Sequence, residues 1–202
     1  MSDVIHERGY FDERGVRAYQ FELPFRQPHL LHNFLGAVCV ARAMKMEWDE
    51  INQQVGALQL PKMRFEQFEK GGIVFINDAY NANPESMRAA LSNLPEPKEG
   101  GKRIAVLGTM RDLGRFSKES HEEIGRFAQR YVDHLLVLGE EATPLCEAFQ
   151  EVKKPAELFL DQGSLAGRLR ELMHPGDVVL VKGSRAMKME NLFELLDAAA
   201  LC

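Results

Sequence analysis

Asp78, Tyr80, Asn81 and Asn83 place a carboxylate, a phenol and two amides within six consecutive positions. Together they can donate and accept hydrogen bonds and carry one negative charge, which equips them to hold a polar ligand. They sit in the string Asp78-Ala-Tyr-Asn-Ala-Asn-Pro-Glu-Ser-Met87, after the apolar run Ile73-Val-Phe-Ile76 and before a helical pattern. Pro84 suits the first turn of that helix, and Glu85 and Ser86 suit its N-terminal end. The string therefore reads as a βα loop, and in open α/β sheets ligands bind at the carboxyl ends of strands. The same residue types also build purely structural turns, because Asn and Asp side chains bond nearby backbone.

Two further segments have the same strand-to-loop character. Leu107-Gly-Thr-Met-Arg-Asp-Leu-Gly114 is followed by Ser117 and His121, and Gly108 and Gly114 give it permissive backbone. In Val181-Lys-Gly-Ser-Arg-Ala-Met-Lys-Met-Glu190, Lys182 and Arg185 are expected beside the N–H groups of a helix N-terminus. That combination suits a carboxylate or phosphate, and a solvated basic turn is the structural alternative. The string is not a phosphate loop, which requires G-x-x-x-x-G-K-[ST] opening a helix. Gly100-Gly-Lys-Arg103 precedes a strand instead of following one, so the sequence shows no P-loop.

Taken together, these strings resemble the D-x-Y-N-A-N-P-x-S-M, L-G-D-M-x-E-L-G…S…H and V-K-G-S-R…M-E signatures of the Mur ligases, ATP-dependent amide-bond-forming enzymes of peptidoglycan synthesis. Thr109 and Asp112 stand where the family has Asp and Glu, so neither is assigned a catalytic role. Upstream, Pro28-His-Leu-Leu-His-Asn33 is similar to the family's G-R-H-N-x-x-N, with His29 and Asn33 in register. Gln27, Pro28 and Leu30 replace Gly, Arg and Asn, and His32 has no counterpart.

The resemblance implies that His29, Asn33, Arg64, Asp78, Tyr80 and Asn81 contact ATP, and that Asn83, Lys182, Ser184 and Arg185 contact the second substrate. An amide such as Asn33 can donate and accept together, as the adenine edge requires. Arg64 is always charged and could follow a phosphate. The reaction that the resemblance implies joins D-alanyl-D-alanine to a UDP-N-acetylmuramoyl-tripeptide through an acyl phosphate. ATP and Mg²⁺ are implied as cofactors, the metal being held mainly by a P-loop-containing half that this sequence does not show. No metal ligand and no catalytic residue are assigned within it. The resemblance covers roughly the C-terminal half of the family's chain, so the chain alone is expected to lack ligase activity. A non-catalytic module that holds a nucleotide or peptide and docks a partner protein is the alternative.

From Ile73 onward, strands and helices alternate as in a βαβ array. Strands are expected over 73–77, 103–107, 134–138, 157–160 and 178–181, with helices near 84–94, 117–131, 141–150, 163–173 and 187–199. Ile-Val-Phe-Ile, Ile-Ala-Val-Leu and Val-Val-Leu-Val suit strands buried on both faces. The fold class is α/β, a Rossmann-like, doubly wound and mostly parallel sheet with right-handed crossovers. Residues 63–202 form this domain. Residues 1–62 read as a small helical remnant of the central ATPase domain, with a partly disordered start, one strand over 18–23, and helices over 32–46 and 48–58.

The composition fits this reading and excludes others. The 202 residues, 45% hydrophobic and 27% charged, can bury a sizeable core, and the net charge of -5 argues against nucleic acid as a partner. Cys39, Cys146 and Cys202 are widely spaced and imply no disulfide framework. With no apolar run long enough to span a bilayer and no secretory h-region, a cytoplasmic protein is expected.

Overall fold

The computed structural model describes residues 7–12, 18–25, 28–58 and 62–198. The chain divides into two compact units, Met1–Pro61 and Lys62–Cys202.

The first unit pairs β1 (Glu7–Asp12) antiparallel with β2 (Ala18–Leu23), followed by α1 (Pro28–Ala43) and α2 (Trp48–Val55). The strand at Glu7–Asp12 is an addition to the single strand read from the sequence. The expected disordered start falls largely on residues 1–6 and 13–17, which lie outside the described residues. Phe21, Leu23, Phe34, Val38, Trp48, Ile51 and Val55 make the core of this unit. Glu47 begins α2 with a reciprocal capping box, its side chain meeting the Glu50 N–H while the Glu50 carboxylate takes the Glu47 N–H at 2.8 Å.

The second unit is a six-stranded sheet in the order β3-β4-β8-β5-β6-β7. Its strands are β3 (Glu66–Lys70), β4 (Ile73–Asp78), β5 (Arg103–Gly108), β6 (His134–Leu138), β7 (Ala156–Phe159) and β8 (Val178–Lys182). All neighbours pair parallel except the edge strand β3, which runs antiparallel to β4. Side chains alternate between two cores, as a pleated strand buried on both faces requires. Ile76, Ala105, Leu107, Leu135, Val137, Val178 and Leu180 face α3 (Pro84–Ser92), α4 (Ser117–Ala128) and α5 (Thr143–Gln150). Ile73, Phe75, Ile104, Val106, Leu136, Val179 and Val181 face α6 (Gln162–Leu172) and α7 (Asn191–Ala198).

This topology creates a switch point. The chain leaves β4 toward the face covered by α3, whereas it leaves the adjacent β8 toward the face covered by α7. The two connections diverge and open a crevice at the carboxyl ends of β4 and β8, the position where α/β sheets bind ligands. Among the described residues, no helix is long and apolar enough to cross a membrane.

Candidate functional site

The last residues of β4 and β8, Asp78 and Lys182, stand opposite each other in register at this crevice. Lys182 Nζ donates to Asp78 Oδ2 at 2.6 Å and to the Asn81 carbonyl at 2.9 Å. Its side chain is 2% exposed and that of Asp78 is 15% exposed, so the pair is screened from solvent. Burial pulls the Lys182 pKa below the ordinary lysine value; Asp78 opposes that shift and the Arg64 charge adds to it.

Asp78 also reaches the segment that precedes β3. Its Oδ1 accepts the Phe65 N–H at 3.0 Å, the Tyr80 N–H donates to the Met63 carbonyl at 3.1 Å, and Glu66 Oε2 accepts the Met63 N–H at 3.1 Å. These bonds hold Met63 at φ 59° and Phe65 at φ 55°, left-handed conformations that cost a non-glycine residue ~1–2 kcal/mol each. Arg64 lies between them, and its guanidinium sits 4.2 Å from the centre of the Tyr80 ring. Tyr80 remains 44% exposed and Asn81 is exposed beside it. Asn83 caps α3: its side chain accepts the Ser86 N–H at 2.8 Å, and Ser86 Oγ accepts the Asn83 N–H at 3.1 Å.

The β5 and β8 loops meet across glycines. A Cβ on Gly183 would lie 2.6 Å from Met189 Cγ and 3.2 Å from Gly108 Cα, so only glycine lets the two backbones approach this closely. Thr109 is buried and ties three strand ends together, donating its N–H to the Leu138 carbonyl at 3.2 Å and accepting the Ser184 N–H at 3.1 Å. Farther along this loop, His121 Nε2 accepts the Met110 N–H at 3.0 Å and Nδ1 lies 2.8 Å from the Ser117 carbonyl. That arrangement needs a neutral ring protonated on Nδ1. Burial lowers its pKa accordingly, against the raising influence of the Ser117 bond and of Glu141.

Arg185 is half exposed and bonds Glu190 Oε1 at 2.6 Å, while Glu190 Oε2 is buried with no hydrogen-bond partner in the structure. The helix expected from residue 187 begins at Asn191; Arg185–Met187 form a 3₁₀ turn that Lys188 ends at φ 47°. Lys182 and Arg185 consequently do not flank an α-helix N-terminus. The charge at this edge comes from the side chains themselves.

The structure thus gathers Arg64, Asp78, Tyr80, Asn81, Lys182 and Arg185 at one edge of the sheet, with Asn83 and buried Ser184 next to them in the chain. Asn33 is exposed on α1 of the first unit; the side chain of His29 lies outside the described residues. Glu66, Thr109, His121 and Glu190 were not assigned site roles from sequence, although each contributes to the geometry. The spacing of Ser117 and His121, one helical turn apart, and the placing of Thr109 and Glu190 within the two quoted strings are the sequence signals for these contacts. The carboxylates do not fit a magnesium site. Asp78 and Glu190 are each engaged by a cation, and no group of three His, Cys, Asp or Glu side chains suited to a metal occurs among the described residues.

Comparison with known proteins identifies the family. Residues 63–185 match the model of the Mur ligase, glutamate ligase domain. The chain is 29% identical over 191 residues to the UDP-N-acetylmuramoyl-tripeptide–D-alanyl-D-alanine ligase of Bacillus subtilis, an alignment covering 92% of this chain and 41% of that one. It is 33% identical over 198 residues to the enzyme of the same name from Mycobacterium tuberculosis, covering 85% of this chain and 39% of the other. The crystal structure of MurF ligase from Thermotoga maritima in complex with ADP superposes with a TM-score of 0.71 at 31% identity, over 90% of this chain and 41% of that one. The chain therefore spans about two fifths of the length of these relatives. With a family domain matching more than half of its residues and its strand-end strings gathered at one crevice, the chain belongs to the Mur ligase family.

Proposed function

We propose that this chain supplies the C-terminal portion of an ATP-dependent ligase that joins D-alanyl-D-alanine to a UDP-N-acetylmuramoyl-tripeptide in the cytoplasm. The observation that carries this reading is the crevice between β4 and β8, where a cationic and aromatic edge surrounds the buried Asp78–Lys182 pair. An ADP complex is known for the similar Thermotoga maritima protein. Here Arg64, Tyr80 and Asn81 offer a charge, an aromatic face and an amide to a nucleotide, and His29 and Asn33 are assigned to the same ligand. Arg185, Ser184 and Asn83 are assigned to the dipeptide, whose carboxylate matches the guanidinium. ATP would activate the tripeptide carboxylate as an acyl phosphate, which the dipeptide amine displaces. This chain's residues contribute orientation and charge to that transfer. Residues 1–62 are assigned to the central ATP-binding domain and residues 63–202 to the C-terminal domain. A separate P-loop-bearing half, with its Mg²⁺, completes the machinery.

Phosphate release from ATP, measured with both substrates present, tests the reading. Activity is expected only when this chain is mixed with a P-loop-bearing half from a relative. A second reading, a non-catalytic module docking a partner protein, draws on the exposed apolar side chains of Val40 in α1 and of Met44 in the turn after it. A folded but silent mixture would favour it.

A further inference from the structure

We infer that Arg185 and Glu190 are an internal ion pair that the incoming dipeptide exchanges for its own two charges. The ligand's carboxylate draws the guanidinium away, and its ammonium takes the guanidinium's place on Glu190. The inference rests on the ligase reading for the identity of the ligand and deepens it, making Glu190 the residue that selects a zwitterion at this edge.

A rigid turn builds the pair. The Met187 N–H donates to the Ser184 carbonyl at 2.8 Å, and the Lys188 N–H donates to the Arg185 carbonyl at 3.2 Å. From the start of α6, Gln162 Nε2 donates to the Met187 carbonyl at 2.7 Å and to the Lys188 carbonyl at 3.2 Å, while buried Met189 lies over Gly108 and Gly183. This backbone brings Arg185 Nη1 to 2.6 Å from Glu190 Oε1.

The two halves of the pair are unequally satisfied. The Arg185 side chain is 51% exposed, and among the described residues its one other partner is Met63 Sδ, a weak acceptor at 3.8 Å. The Glu190 side chain is 23% exposed, yet its Oε2 is buried without a hydrogen-bond partner. A buried acceptor left unpaired gains from a donor that reaches it. An ammonium carries three donors, enough for both oxygens of Glu190, and it reaches them once the long arginine side chain swings toward solvent. The exchange replaces one ion pair by two and strands no charge. The same carboxylate repels a phosphate, which would approach Arg185 against a like charge. The ligand that fits is therefore a zwitterion whose two charges are held apart, as those of a dipeptide are.

Kinetics of this chain mixed with a P-loop-bearing half test the exchange, with Glu190→Gln as the variant and Glu190→Ala in its place if the first does not fold. Propionyl-D-alanine, which has the dipeptide's carboxylate and lacks its ammonium, serves as a competitive inhibitor. The dipeptide KM is expected to rise roughly tenfold or more in Glu190→Gln, while the KM for ATP stays within about twofold of the unaltered value. Propionyl-D-alanine should inhibit the variant at least as strongly as the unaltered chain, where it takes Arg185 from a carboxylate that it leaves unpaired. An unchanged dipeptide KM would overturn the proposal. So would an inhibitor weakened as much as the dipeptide, the mark of a Glu190 that only holds Arg185 in place. If the unaltered mixture releases no phosphate, the ligase reading fails and the exchange falls with it; an active mixture with either overturning result removes the exchange alone.

Discussion

The two ends of the six-stranded sheet each carry a largely buried aspartate that ties loops together, yet only one end carries the residues proposed to hold a ligand. At the amino end, Asp177 is 2% exposed; its carboxylate accepts the Lys102 N–H at 2.9 Å and the His174 N–H at 2.8 Å. The surrounding loops close on one another. The Lys98 N–H donates to the Gly176 carbonyl at 2.9 Å, and a Cβ on Gly101 would lie 2.3 Å from that same oxygen. Every partner of Asp177 is backbone, so this end is sealed. At the carboxyl end, Asp78 takes one backbone N–H and one ammonium, and the loops it anchors carry Arg64, Tyr80 and Asn81 outward. A buried carboxylate is a staple in both places; the cation paired with it and the outward side chains distinguish a site from a seam.

The largest expected effect strikes the carboxyl end. Lys182→Met strands the Asp78 charge and should cost about 3–5 kcal/mol of unfolding free energy in urea titrations. Adding Asp78→Asn should recover part of it; losses that simply add would show that the two side chains are not coupled. At the amino end, Asp177→Ala orphans two N–H groups and should cost about 2–3 kcal/mol by the same titration. Nucleotide affinity, measured where that variant is still folded, should not change, and a parallel loss of affinity would break the contrast between the two ends.

His121 gives the carboxyl end a pH dependence. Its folded pKa is depressed below the ordinary 6.5, so the unfolded chain binds the extra proton first as pH falls. The stability it contributes is complete above about pH 6.5 and is lost as pH falls below that value toward the folded pKa. The drop in Tm between pH 7.5 and pH 5 should therefore narrow in His121→Gln; an equal drop in both proteins would remove His121 from the account. The smallest stability effect belongs to the exposed Tyr80, which is proposed to meet the nucleotide. Tyr80→Leu should change unfolding by less than about 0.5 kcal/mol while weakening nucleotide binding in calorimetry, and unaltered binding would take Tyr80 out of the site.

The sheet was largely legible because its strands announce themselves as short apolar runs. The expected strands at 73–77, 103–107, 134–138 and 178–181 correspond to β4, β5, β6 and β8 within one residue at each end. β3 escaped because Glu66-Gln-Phe-Glu-Lys70 has a single apolar residue and all five positions are exposed. An edge strand needs only one neighbour, and this one gains packing from Phe68 stacked on Phe75 at 5.4 Å. The start of α7 was placed too early because Arg185–Met187 form a 3₁₀ turn in a segment that reads as helix. At the site, residue types marked Asp78, Tyr80, Asn81 and Arg185, but no pattern in the chain reveals that Lys182 is buried or that Met63 and Phe65 adopt left-handed backbone.

The alternation of strands and helices, the burial of strands on both faces and the polar equipment of the β4 and β8 loops were written in the sequence, because periodicity and residue type act locally. Strand order was not. The insertion of β8 between β4 and β5 brings Lys182 to Asp78 across 104 residues, and it also makes the two loops diverge. An apolar run declares that it will be buried without naming its neighbour. Only the packing of helices on opposite faces decides which strand ends meet, and with them which charges pair and which side chains are left facing a ligand.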